Sequence, residues 1–286
     1  MNISRRGLLA AGGALLFSSA VSRLGAAENK RRFRIGACDW SIGQHQQLKA
    51  LEVAKDLGID GVQVSFDDAG ARYDLRKDEV RKEYAEASQK LGVEICALAM
   101  GVMNNVPFAT DDRAEKWLTE CVRVMEAMGQ KIVLLAFFSK GDVRGKPDLQ
   151  ARVIERLKRV APVAEKAGVV LGFESWLSAD DHIRILDAVG SPALKVYYDV
   201  ANSEGSGYDI YREIRQLGKD RICRIHAKEN GFLLGQGKVN FPKVREALDD
   251  IGWSGWLVIE GATVSGKTLA ECYIANQKYL RKVFDA

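Results

Sequence analysis

Short apolar runs of β-type composition alternate with longer amphipathic stretches along almost the whole chain, and this alternation constrains the fold more than any other feature. The runs fall at 33–38, 61–66, 93–100, 131–138, 169–174, 194–199, 222–226 and 256–260. Helical patterns follow them at 46–57, 77–91, 111–128, 147–167, 179–189, 208–217, 242–251 and 266–283. Gly58, Gly92 and Gly129 stand where left-handed caps end helices, Asp111 and Asp112 suit a helix start, and Pro147 suits a first turn. Strands that are apolar at nearly every position are covered on both faces, as in a parallel sheet. Eight consecutive βα units therefore predict an α/β fold, a single (β/α)8 TIM barrel. A doubly wound open sheet is the second choice, because Gly36-Ala37-Cys38-Asp39-Trp40 lacks the GxGxxG spacing of a dinucleotide-binding turn.

The chain has 286 residues, 47% of them hydrophobic and 28% charged, enough for one large domain with a substantial core. Residues 1–27 read as a twin-arginine-type signal peptide: Ser4-Arg5-Arg6-Gly7-Leu8-Leu9 precedes an apolar stretch from Leu8 to Ala20 and small residues up to Ala27. That stretch is short for a membrane span, so an uncleaved anchor is the weaker reading, and the barrel domain is expected over 28–286. Export to the periplasm or another extracytoplasmic compartment follows, and twin-arginine export carries folded proteins, so a metal could be loaded beforehand. Removing the segment takes away Arg5, Arg6 and Arg23 and no acid, so the formal charge falls from +4 to +1. A near-neutral chain gives no electrostatic reason to expect nucleic acid as a partner, and no membrane contact is expected beyond the signal. The five cysteines form no CxxC pair, and Cys38, Cys96 and Cys223 lie in strand-like runs as small buried hydrophobes; no disulfide framework is expected.

Four neighbouring runs end in groups that carry chemistry: Phe173-Glu174, Tyr198-Asp199, Ile225-His226 and Ile259-Glu260. In a parallel barrel the carboxyl ends of the strands face the loops where active sites sit, so these four side chains would line one half of the mouth. Any one of them could be a helix cap or a buried hydrogen-bonding group. All four at one end of consecutive strands is hard to attribute to caps. Three crowded carboxylates repel one another unless a cation compensates them, and three oxygens with one nitrogen suit one divalent ion: manganese, magnesium, cobalt or zinc.

From Arg34-Ile35-Gly36 to the last helix, the sequence resembles the sugar phosphate isomerase/epimerase family, the xylose isomerase-like barrels that include ketose 3-epimerases and inosose dehydratases. The ordered strand ends carry the likeness: Phe173-Glu174, Tyr198-Asp199-Val200-Ala201-Asn202, Ile225-His226-Ala227-Lys228-Glu229 and Ile259-Glu260-Gly261, with the glycine-rich turn Leu234-Gly235-Gln236-Gly237-Lys238-Val239-Asn240-Phe241. The resemblance implies that Glu174, Asp199, His226 and Glu260 hold the metal, and that Glu174 and Glu260 are also the acid/base pair. Gln63 stands where members often have an acid, Asn202 where ketose epimerases have His, and Lys238 and Asn240 where the turn commonly has acids. These departures spare the metal set and bear on the substrate.

The expected activity is a metal-dependent sugar isomerase or epimerase acting through an enediolate formed by removal of a proton next to a carbonyl. The alternative is a metal-dependent lyase or dehydratase, in which the same intermediate expels a β-oxygen substituent from a keto-sugar or 3-keto-glycoside. The related apurinic endonucleases use several His-rich zinc sites, which three histidines do not supply. A carbohydrate-binding barrel without turnover would keep the site and show no proton exchange. A small-molecule carbohydrate is the expected partner, and the sequence leaves a homo-oligomer open.

Among the other candidates, Trp40 and Trp176 follow strands one and five and are placed to stack on a sugar or to fill the rim. Asn202 is a substrate-binding candidate, and Lys228, two residues past His226, faces the same side of its strand. His45 and His182 are weaker ligand candidates, and Asp39, Asp67 and Asp68 read as turn or cap residues.

Overall fold

The structure, a computed structural model, describes residues 31–285. The expected signal peptide at 1–27 lies outside the described residues. Eight strands, each apolar enough to be buried on both faces, pair in parallel and in sequence order, and β8 pairs back to β1 to close the barrel. In chain order the elements are β1 (Phe33–Cys38), α1 (Ala50–Asp56), β2 (Gly61–Ser65), α2 (Asp78–Leu91), β3 (Glu94–Met100), α3 (Asp112–Met128), β4 (Ile132–Phe137) and α4 (Pro147–Ala167). The second half runs β5 (Val170–Ser175), α5 (Ala179–Val189), β6 (Leu194–Asp199), α6 (Val200–Gly205), α7 (Ile210–Arg221), β7 (Ile222–Ala227), α8 (Phe241–Asp250), β8 (Gly255–Ile259) and α9 (Leu269–Phe284). Among the described residues, no helix is long and apolar enough to cross a membrane.

Successive strand side chains point to opposite faces, and the core divides accordingly. The larger apolar set, including Ile35, Val62, Leu98, Leu135, Phe173 and Leu257, packs outward against helix residues such as Leu51, Leu118, Leu157 and Leu248. A smaller set, at alternate strand positions except where Cys96 and Cys223 are the extra residues of register shifts, fills the barrel: Cys38, Cys96, Ala97, Ala99, Leu134, Ala136, Tyr197, Cys223, Trp256 and Val258. Glu174, Asp199, His226 and Glu260 continue that inward-facing alternation to the carboxyl ends of their strands. All five cysteines are buried and free; Cys38, Cys96 and Cys223 lie in strands as their apolar runs led us to expect, and Cys121 and Cys272 lie in helices.

The helix ends follow local chemistry. Asp111 caps α3 by accepting the Arg113 N–H, and Gly129 closes it in the left-handed region at φ 68°. Two expectations about helices change. The first helix starts at Ala50 rather than residue 46, because Gln46 is at φ 50° and its amide exchanges hydrogen bonds with the backbone of Asp68, Nε2 to O and N to Oε1, each 2.9 Å. The single helix expected at 208–217 is preceded by α6, which starts directly at the end of β6.

Candidate metal centre

Asp199 and His226 are register partners on β6 and β7, so adjacent strands deliver a carboxylate and an imidazole at the same height. Glu174 comes from β5, and Glu260 follows the last residue of β8. His226 Nδ1 lies 2.8 Å from Glu174 Oε1, 3.6 Å from Glu260 Oε2 and 3.8 Å from Asp199 Oδ2. One donor atom from each of the four lies within 4.8 Å of the other three. Bonds of about 2.0–2.2 Å to a divalent ion would close such a set with small side-chain rotations.

Asp199 divides its two oxygens between two tasks. Oδ1 caps α6, accepting the N–H groups of Ala201 at 2.9 Å and Asn202 at 2.8 Å. Oδ2 is buried without a hydrogen-bond partner, and the Lys228 ammonium stands 3.6 Å from it, beyond hydrogen-bond distance. A buried carboxylate oxygen without a partner is costly unless a cation meets it, and this atom belongs to the four-donor set. The donor chemistry, and an oxygen in the donor set that makes no hydrogen bond, fit a divalent metal.

The electrostatics show the same crowding. Burial raises the Glu174 carboxyl above its usual range, and His226 works against it. Burial likewise raises Asp199 to about 7, with Lys228 opposing and the neighbouring glutamates adding to the shift. Burial would also raise Glu260, but His226, Lys228 and the hydrogen bonds from Lys228 and Trp40 hold it at about 2. For His226 burial disfavours the charge, and the surrounding carboxylates outweigh it and bring the imidazole up to about 9. Without a metal, protons and the imidazolium share the work of compensating three acids.

Two of the four substrate-binding candidates join the acids through their side chains. Trp40 donates its Nε1 hydrogen to Glu260 Oε1 at 3.1 Å, so the indole orients that carboxylate. Lys228 Nζ lies 2.9 Å from Glu260 Oε2 and 3.6 Å from Asp199 Oδ2. Asn202 reaches the site through its backbone N–H on Asp199. Trp176 packs elsewhere on the rim: its ring meets Phe138 at 5.0 Å, the Arg144 guanidinium lies 5.3 Å above it, and its carbonyl accepts the Tyr208 hydroxyl.

The weaker histidine candidates stand apart. His45 pairs with Asp67 at 2.9 Å in the loops after β1 and β2. His182 is buried against Ser175 Oγ at 3.0 Å. Asp39 accepts the Ser65 hydroxyl and the N–H groups of Ser65 and Gln46, tying the end of β1 to β2 and the following loop. Three further residues belong to the site's support. Gln63 Oε1 lies 2.9 Å from His226 Nε2, and it accepts the Tyr197 hydroxyl at 2.9 Å and the Cys38 thiol at 3.4 Å. A polar Gln63 in the otherwise apolar middle of β2, and Tyr197 two residues before Asp199, were the available signals.

Residues 51–283 match the family described as the xylose isomerase-like TIM barrel. The chain belongs to that family. Among its relatives is the L-ribulose-5-phosphate 3-epimerase UlaE of Salmonella paratyphi A, 24% identical over 232 residues that cover 74% of this chain and 81% of the relative. The D-psicose 3-epimerase of Clostridium cellulolyticum H10, solved with D-tagatose, superposes with a TM-score of 0.75 at 18% identity, covering 88% of this chain and 99% of that one. The 3-keto-D-glucoside 4-epimerase YcjR of E. coli, in its apo form, gives 0.72 at 16% identity, covering 87% and 99%. These two solved structures share the fold.

Proposed function

We propose that this protein is a divalent-metal-dependent sugar epimerase or isomerase that moves a proton at the carbon next to a carbonyl. The observation that carries this reading is the convergence of three carboxylates and one imidazole from four consecutive strands, with Asp199 Oδ2 buried there without a hydrogen bond. That the relatives and structural neighbours named above are epimerases favours return of the proton over loss of a β-substituent.

Asp199 and His226, with Glu174 and Glu260, would hold the ion. A divalent cation there supplies a Lewis acid that lowers the cost of the negative charge developed on an enediolate. Glu174 and Glu260 reach the centre from β5 and β8, with two strands between them. They are placed to address opposite faces of one carbon, one removing the proton and the other returning it. Trp40 holds Glu260 in one orientation through Nε1. The Lys228 ammonium adds positive charge beside the oxygens of the substrate, and Trp176 offers a rim ring for the sugar's apolar face.

The twin-arginine-type segment supports an extracytoplasmic enzyme, which meets free or oxidised sugars more readily than sugar phosphates. The test is to incubate the protein with free ketoses and 3-keto-glycosides in heavy water and follow the products by NMR. This reading predicts the epimer or isomer with deuterium at the carbon next to the carbonyl. An unsaturated product without an epimer would instead identify a lyase, and sugar binding without any exchange would identify a binding protein.

A further inference from the structure

Two of the eight strand pairings shift register, β2–β3 between Val62 and Gln63 and β6–β7 between Val196 and Tyr197. The extra residues are Cys96 on β3 and Cys223 on β7, so Gln63 and Tyr197 keep the ordinary alternation of β2 and β6, and their side chains meet inside the barrel. The Tyr197 hydroxyl donates to Gln63 Oε1 at 2.9 Å, directly beneath His226. The same oxygen lies 2.9 Å from His226 Nε2 and 3.4 Å from the Cys38 sulfur. Gln63 Nε2 is buried without a partner. Turning the amide over would leave the buried Tyr197 hydroxyl without its acceptor, so the carbonyl oxygen belongs where it is.

A carbonyl oxygen only accepts, and therefore the nitrogen facing it carries the hydrogen. A neutral imidazole protonated at Nε2 has its lone pair on Nδ1. That atom faces Glu174, Glu260 and Asp199. We infer that Gln63, held by Tyr197, is a positioning residue that fixes His226 as the Nε2–H tautomer and so presents Nδ1 to a divalent cation. A carboxamide does this without adding a fourth negative charge to a site that already has three. The inference rests on the metal-dependent reading of the same four residues.

The chain has three histidines, so a histidine-labelled sample gives a readable nitrogen spectrum. Metal-stripped full-length protein is titrated with Cd²⁺, following affinity by calorimetry and the ring nitrogens by NMR. In the wild type, His226 Nδ1 shifts and couples to ¹¹³Cd while Nε2 keeps its proton. Gln63→Met, close in volume, lowers Cd²⁺ affinity about 10- to 100-fold and leaves Cd²⁺-bound His226 divided between Nδ1 and Nε2 coordination. Gln63→Glu, which keeps an acceptor oxygen, stays within a few-fold of wild type. If thermal unfolding shows that Gln63→Met does not fold, Tyr197→Phe carries the test, with a loss of at least threefold and the same division of the bound ring between Nδ1 and Nε2 coordination. Wild-type affinity and Nδ1 coordination in the folded variants, or coordination through Nε2 in the wild type, would overturn the inference and leave the metal reading intact. A wild type that takes up no Cd²⁺, or takes it up equally after His226→Ala, would overturn both.

Discussion

Lys228 and Glu260 form an ion pair at the barrel mouth, Nζ to Oε2 at 2.9 Å, through the same oxygen that lies 3.6 Å from His226 Nδ1. Burial works against the lysine's charge, but Asp199 and Glu260 outweigh it and the ammonium stays charged. It therefore competes with a metal for two of the four ligands. Two unit charges about 4 Å apart interact by about 4 kcal/mol at an effective dielectric near 20, and solvent at the rim reduces this. Lys228→Met is expected to tighten Mn²⁺ binding about tenfold while lowering turnover by at least as much. Calorimetry with Mn²⁺ and a ketose assay check both, and weaker Mn²⁺ binding would show that the lysine supports the site instead of competing with the ion.

Glu174 and Glu260 flank the centre from β5 and β8, and a two-base mechanism gives them separable phenotypes. Glu174→Gln and Glu260→Gln should each lower epimerisation by about 10²- to 10⁴-fold. In heavy water each variant should still exchange the proton of the one epimer whose hydrogen faces the surviving carboxylate. Loss of exchange from both epimers in both variants would contradict the division of labour between two faces.

His182 gives a pH dependence independent of the metal set. Burial pushes its pKa down from 6.5 to about 4, and its Nδ1 has no partner. Above pH 6.5 both folded and unfolded chains hold it neutral, and the stability is fully present. As pH falls toward 4, the unfolded chain takes up a proton that the folded chain refuses, and about 3 kcal/mol is lost. Asp39 works in the other direction: burial raises it to about 6 against its hydrogen bonds from Ser65 and Gln46, so its share of stability is present at low pH and lost as pH rises through 6. The comparison must therefore be wild type against His182→Gln. Urea unfolding between pH 7 and 4.5 should show the wild type losing about 2–3 kcal/mol more than the variant, and parallel curves would contradict this.

The barrel was legible because burial on both faces imposes near-continuous apolar strands, and local helix punctuation such as Asp111, Gly129 and Pro147 marks the units between them. The four donors were legible for the same reason: each is the polar residue that ends an apolar run. The fine structure around them depends on pairing across strands. Alternation within 61–66 and 194–199 places Gln63 and Tyr197 inward, but nothing within either run shows that these two side chains meet each other. Helix α6 escaped notice because it is six residues long and ends in glycine, and its cap is the carboxylate of Asp199, already assigned to the metal. Trp40 and Trp176 looked alike by position, yet only the first meets an acid of the centre, because loop paths decide where a rim side chain lands.

The most direct test is the metal content of the purified protein by elemental analysis, with wild type beside His226→Ala and Glu260→Ala. The wild type is expected to hold about one divalent ion per chain, retained or restored by dialysis against Mn²⁺, and both variants to lose it or hold markedly less. A wild type that neither contains nor takes up a divalent ion would contradict the central claim.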